Sequence, residues 1–246
     1  MQGQLLSRER LGESRTEEMY QLIRRHFDGV NRSGFERDLV EKDWVILLRD
    51  AGSGALNGFS TFLMYPVYYD NEWITVVYSG DTIVDPKAWN SPELSRTWIR
   101  SVRRLHAKRG RGRLFWLLIT SGFRTYRFLP VFFREFFPRT GTSTPPKKQA
   151  LIERLARERF GERYDSRAGL VRLDRPQRLR EHLREVCPSR LGNPHVAYFL
   201  ERNPGFACGD ELVCLTELDD ANLTPAGRRM LFGNTPLSPV TETRPA

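Results

Sequence analysis

A chain of 246 residues, 39% hydrophobic and 28% charged, describes a soluble globular protein with enough apolar mass for one large domain or two small ones. No segment approaches eighteen uninterrupted apolar residues and Met1–Glu13 lacks the apolar run of a secretory signal, which excludes a membrane span and leads to the expectation of a cytoplasmic protein. A net charge of +9 and a pI near 9.8 fit an anionic partner without choosing among nucleic acid, anionic lipid, a phosphate-bearing cofactor and an acidic protein.

Thr16–Phe27 (TEEMYQLIRRHF) reads as a helix, with Thr16 as cap, Glu17 and Glu18 in the first turn and Met19, Leu22, Ile23 and Phe27 on one face. A short second helix is expected at Phe35–Glu41. Trp44–Arg49 (WVILLR) reads as a strand, Asp50–Ala55 as a Gly- and Ser-rich turn, and Leu56–Tyr65 as the partner strand of an antiparallel hairpin. Trp73–Val84 is the next strand. Ser79 and Gly80 interrupt it, and a glycine inside a strand marks a bulge where another backbone or a ligand comes close.

Ser91 and Pro92 open a helix running to about Lys108. Its apolar face is Leu94, Trp98, Val102 and Leu105. Its other face, Arg96, Arg100, Arg103, Arg104 and Lys108, continues into Arg109, Arg111 and Arg113 with no acid after Glu93, which points to a binding role. Leu114–Thr120 is apolar or β-branched throughout, as suits a strand buried on both faces. Beyond Ser121 and Gly122 the period changes: Phe128, Phe132 and Phe136, and likewise Leu129, Phe133 and Phe137, recur every four residues, the spacing of a helix. Seven of the fifteen phenylalanines lie between Phe115 and Phe137, and two readings of them stay open. They are a core helix packed on a core strand, or they line a tunnel for an apolar ligand.

Thr140–Pro146 reads as a linker, Lys147–Arg159 as a charged helix and Pro176–Val186 as a basic one. Val196–Glu201 and Glu211–Leu215 read as two strands joined at Asn203-Pro204-Gly205, and Gly233–Ala246 as a flexible tail. Cys187, Cys208 and Cys214 read as reduced thiols, and His26, His106, His182 and His195 stand alone, so no metal is expected.

This order of elements resembles the GNAT superfamily of N-acyltransferases over Thr16–Pro138 and Val196–Leu215. Residues 139–194 then stand as a helical insertion. The resemblance implies one α/β domain over residues 1–246, with a mixed, mostly antiparallel sheet whose central strands splay apart between flanking helices. It implies an acyl thioester donor, acyl-CoA or acyl-phosphopantetheine, whose pantetheine arm lies in the cleft along the bulged strand at Thr82, Ile83 and Val84. The donor's phosphates are then expected at Asn90, Ser91, Ser95 and Arg96, where a helix start offers free N–H groups. The stretch Trp89–Leu94 departs from the family's glycine-bearing phosphate loop. It has no glycine, Pro92 lacks an N–H, and Glu93 repels phosphate. A donor carried on acyl carrier protein suits that departure, because carrier proteins are acidic and the basic helix offers a dock. The aromatic surplus then suits a medium or long acyl chain.

Acyl transfer of this kind needs a base for the amine proton and often a tyrosine that protonates the departing thiolate. Tyr126 is the candidate acid, and Asp81 and Glu72 the candidate bases. The acceptor, a small-molecule or peptide amine, and the oligomeric state are not readable. A non-catalytic lipid- or protein-binding relative of the same fold is the alternative. A nucleic-acid-binding protein is a weaker one, since no such motif accompanies the charge.

Overall fold

The computed structural model describes residues 1–186 and 188–233; Cys187 and the expected tail, apart from Gly233, lie outside the described residues. The backbone of the fold is a sheet in which β1 (Gln2–Ser7), β2 (Trp44–Arg49), β3 (Leu56–Tyr69), β4 (Glu72–Val84), β5 (Arg113–Thr120) and β6 (Glu211–Glu217) lie side by side in that order. Two short edge strands, Leu170–Val171 and Tyr164–Asp165, extend it past β6. Every pairing is antiparallel except that of β4 with β5. The expected mixed, mostly antiparallel sheet is therefore the one observed.

The β3–β4 hairpin closes at Asp70 and Asn71, whose φ of 51° and 64° suit a tight two-residue turn, and these two residue types tolerate that conformation. Helices cover both faces. On one side lies α3 (Glu93–Arg109), joined by α4 (Phe123–Tyr126), α5 (Phe128–Phe132), α9 (Pro194–Arg202) and α10 (Pro225–Phe232). On the other, α1 (Gly12–His26) and α2 (Arg32–Val40) pack under β2 and β3, while α6 (Pro146–Phe160) packs under β4 to β6. Alternation along the strands assigns side chains to these layers: Ile46 and Leu48 face α3, Val45 and Leu47 face α1 and α2.

Several expectations change. Helix α1 starts four residues early, at Gly12, and Thr16 bonds back to the Gly12 carbonyl (2.8 Å) instead of capping. The expected single aromatic helix breaks after Phe132. Asn222 bonds both the N–H (2.7 Å) and the carbonyl (2.9 Å) of Glu135, and Phe136 and Phe137 pair with Thr216 and Leu215 of β6. Tertiary hydrogen bonds thus replace those of the helix. Val196–Glu201 is helical because Asn193 caps the N–H groups of His195 and Val196 (3.0 and 3.3 Å) and Pro194 occupies the first turn. In place of a basic helix over Pro176–Val186 there is a two-residue strand, Arg178–Leu179, paired with Phe27–Asp28, and one turn of helix, α7 (Glu181–Arg184). The stretch 139–194 adds edge strands to the sheet as well as helices. Strand β1 and helix α10 were not anticipated.

The basic face of α3 is also not the free dock its sequence suggests. Arg100 is buried and donates to the carbonyls of Leu231 (2.9 Å) and Gly233. Arg96 pairs with Glu93 (3.2 Å), Arg103 with Asp220 (2.5 Å), and Arg113 with Glu217 (2.6 Å) and Glu72 (3.2 Å). The missing acids come from other parts of the chain.

Candidate active site

The site begins with a mismatch of strand lengths. The parallel pairing of β4 with β5 runs from Ile74 opposite Arg113 to Ser79 opposite Leu118 and stops. Beyond that point β3 still holds β4, with Gly58 opposite Val84, but among the described residues the other edge of β4 has no strand partner. Its backbone N–H and C=O groups there open into a cleft of about 790 Å³.

At the point of divergence β4 carries a bulge. Ser60 pairs with Thr82 and Phe62 with Ser79, so Thr61 alone faces Gly80 and Asp81. A Cβ at Gly80 would lie 2.4 Å from Lys42 Cε and 2.5 Å from Thr61 Oγ1, so a larger residue would displace those side chains. The expected bulge at Ser79-Gly80 is displaced by one residue. Its consequence is that Asp81 turns into the cleft.

The cleft passes through the sheet and its two ends differ. Toward α3 it is apolar, lined by Trp98, Trp116, Phe128, Phe132 and Met230. Trp98 and Trp116 lie with ring centroids 4.4 Å apart, and Phe128 and Phe132 stack at 5.7 Å. Trp116 donates its indole N–H to Ser79 Oγ (2.7 Å), which fixes the side chain in the cleft wall. Toward α2 and α6 the lining is ionisable: Asp38, Lys42, Tyr78, Asp81, Arg159 and Glu211.

Burial perturbs these groups. Asp81 is pushed up to about 6, first by burial and then by the charge of Asp38, with Lys42 opposing. Glu211, at the start of β6, is pushed up to about 8 by burial and by Asp81 and Asp38. Burial raises Asp38 as well, against the pull of Lys42. Lys42 is only 6% exposed, and burial lowers it while Asp81 works the other way. Its Nζ donates to the Asp38 carbonyl (2.9 Å), a cation placed where the carbonyls of α2 end. It also lies 5.5 Å from the Tyr78 ring, and the Arg159 guanidinium lies 4.7 Å from that ring. Burial holds the Tyr78 hydroxyl well above its ordinary value. The arrangement can accept a proton near neutral pH, because carboxylates that share a desolvated pocket cannot all ionise without cost.

Of the residues expected from sequence, Asp81 lines the cleft, as do Thr82, Ile83, Val84, Asn90, Ser91 and Ser95. Thr82 Oγ1 is bonded to Ser60 Oγ (2.8 Å), and the Val84 carbonyl accepts the Trp89 indole N–H (2.8 Å). Ser91 Oγ accepts from the Glu93 N–H (3.3 Å), and Arg96 is turned onto Glu93 outside the lining.

Tyr126 does not reach the cleft. It is fully buried against Phe136, Tyr198 and Phe199, and its hydroxyl donates to the Pro138 carbonyl (3.0 Å). Glu72 stands at the opposite end of β4 from Asp81, about 30 Å away along an extended strand, held by Arg113. Neither can join Asp81. Lys42, Tyr78, Arg159 and Glu211 were missed. The one sequence signal for Lys42 was the strand glycine, which implied a close approach without naming the neighbour.

Among the described residues no group of histidine, cysteine and acidic side chains could hold a metal, and no helix is long and apolar enough to cross a membrane. Cys208 and Cys214 are free thiols.

No family model matches the chain, and no curated protein matches it. Solved structures resemble parts of it. One is a conserved protein of unknown function from Enterococcus faecalis, described as a probable N-acyltransferase. It is 13% identical with a TM-score of 0.40, over 55% of this chain and 33% of its own. A GNAT family N-acetyltransferase from Escherichia coli in complex with CoA is 16% identical with a TM-score of 0.37, over 52% of this chain and 68% of its own. A Trypanosoma brucei acetyltransferase is 15% identical with a TM-score of 0.36, over 46% and 81%.

Proposed function

We propose that the chain is a GNAT-type N-acyltransferase that moves an acyl group, medium or long, from a pantetheine thioester to an amine. The observation that carries this reading is the unpaired edge of β4, which opens at the bulge beside Asp81. The edge offers backbone groups that an amide-bearing pantetheine arm pairs with, as a further strand would. The apolar end toward α3 suits the acyl chain and the arm, and the ionisable end toward α2 and α6 suits the amine.

In the reaction the amine nitrogen attacks the thioester carbonyl carbon, a C–N bond forms and the C–S bond breaks. The proton lost from nitrogen passes to the Asp81 carboxylate, and the pantetheine sulfur leaves as a thiolate that takes a proton from water. A base that titrates near 6 is ionised at neutral pH yet basic enough to receive that proton. Glu211, across the open end of β5, holds its own proton more tightly and supports Asp81 as the group that ionises first. Lys42, against the bulge, opposes the negative charge that develops on the carbonyl oxygen. The acid role given to Tyr126 is dropped. A thiolate is a good enough leaving group to depart without it.

Native mass spectrometry with acyl-CoA and acyl carrier protein donors, from acetyl to palmitoyl, tests the reading. Donor binding that strengthens with chain length is expected. Binding of short acyl donors alone would remove the long chain and keep the transferase, and no binding to any thioester would leave a non-catalytic member of the fold.

A further inference from the structure

The start of α3 is poorly built for phosphate. Pro92 has no N–H, Ser91 Oγ is engaged by the Glu93 N–H, and the Glu93 carboxylate holds Arg96 beside it. The opposite wall of the cleft is different. Arg124 of α4 lays its guanidinium over Trp89 at 4.3 Å and over Phe123 at 4.7 Å, and one of its N–H groups donates to the Leu183 carbonyl (2.6 Å). Trp89 is 42% exposed and sits at the end of β4, its indole bonded to the Val84 carbonyl. Arg124 is therefore fixed above the same mouth that a helix-start loop would serve.

Among the described residues the charge of Arg124 is not answered. Burial and the nearby positive charge of Arg190 both act against it, and among the described residues no carboxylate pairs with either arginine. Arg190, on α8 (Pro188–Leu191), lines the same cleft. Both guanidinium groups line the cleft, Arg190 exposed and Arg124 stacked and half-buried, and an anion bound there would offset the burial of the Arg124 charge. Guanidinium forks match phosphate geometry, and several N–H donors of Arg124 are unspent. The spacing also fits. Three residues of strand, about 10 Å, separate Asp81 from Val84, where Trp89 and Arg124 begin. An extended pantetheine arm covers that span.

We propose that Arg124 and Arg190 form a phosphate clamp, gripping the phosphate at the end of the pantetheine arm in place of the helix-start loop. This rests on the thioester reading of the cleft. The phosphate is common to CoA and to carrier-bound phosphopantetheine.

Calorimetric titration of the full chain with pantetheine, 4′-phosphopantetheine and CoA tests the clamp. The phosphate is expected to tighten binding of phosphopantetheine over pantetheine by about 10- to 100-fold, the range of charge-assisted hydrogen bonds. Arg124→Gln and the surface change Arg190→Gln should each remove most of that gain and leave pantetheine affinity unchanged. CoA binding no tighter than phosphopantetheine supports a clamp for the single phosphate of a carrier-bound donor. An extra gain for CoA that Arg190→Gln removes supports a clamp for the pyrophosphate. A wild-type protein that binds all three ligands alike overturns the clamp, as does a phosphate gain that survives both substitutions. A wild-type protein that binds none of the three overturns the thioester reading itself.

Discussion

Asp81→Asn should make the protein more stable at neutral pH while abolishing turnover. The Asp81 carboxyl is raised from its ordinary 3.8 to about 6, chiefly by burial. Keeping it ionised in the folded state therefore costs on the order of 3 kcal/mol. Below about pH 3 the group is protonated in folded and unfolded chains alike and the cost is absent. Between about pH 3 and 6 only the unfolded chain ionises readily, so the wild type loses stability as pH rises. Above 6 the full cost is present. Asparagine mimics the protonated form and escapes it. Thermal melts at about pH 3 and pH 8 should show no difference between wild type and variant at the lower pH. At the higher pH they should show a gain for the variant of about 6–12 °C, scaled from a few degrees per kcal/mol for a chain of this size. Equal gains at both pH values would refute the reasoning, because packing alone, without charge, would then explain them.

Lys42→Met removes the cation that draws Asp81 down, so the acid limb of the pH–rate profile should move from near 6 upward by about one pH unit or more; an unmoved limb contradicts the pairing. Tyr126→Phe should cost about 1–3 kcal/mol in a denaturant melt by leaving the Pro138 carbonyl unpaired, with kcat unchanged. A collapse of kcat in a folded variant would return Tyr126 to the chemistry. Met230→Trp places a ring in the apolar end of the cleft and should weaken the longest acyl donors by about tenfold while sparing acetyl, read by donor competition.

Strands β2 to β6 were largely legible because their signals are local: WVILLR and LFWLLIT are apolar on both faces, and turn residues bound them. The sheet order, and with it the pairing that creates the cleft, came from the resemblance to the GNAT superfamily. The strand glycine pointed to the bulge, and with it to Asp81. Errors came where distant residues decide the outcome. The fourfold recurrence of phenylalanine is genuine, yet Asn222 and β6 claim the backbone at Glu135–Phe137 and end the helix. The apolar run Val196–Glu201 was too short to tell strand from helix, and the cap at Asn193 was not recognised. The basic face of α3 is real in sequence, but Asp220 and Glu217, more than a hundred residues away, neutralise Arg103 and Arg113. Glu211 and Lys42 were invisible for the same reason. Each is an ordinary charged residue until the fold buries it beside Asp81.

In the proposed reaction an acyl group passes from thioester sulfur to an amine at Asp81. The direct measurement is thiol release from decanoyl-phosphopantetheine, free or on a carrier protein, with and without a panel of primary amines, using wild type and Asp81→Asn side by side. Release is expected to depend on an amine, to match amide formed mole for mole, and to disappear in the folded variant. Thiol release that is equal in the two proteins, or absent with every amine in a wild type that binds the donor, would contradict that reaction.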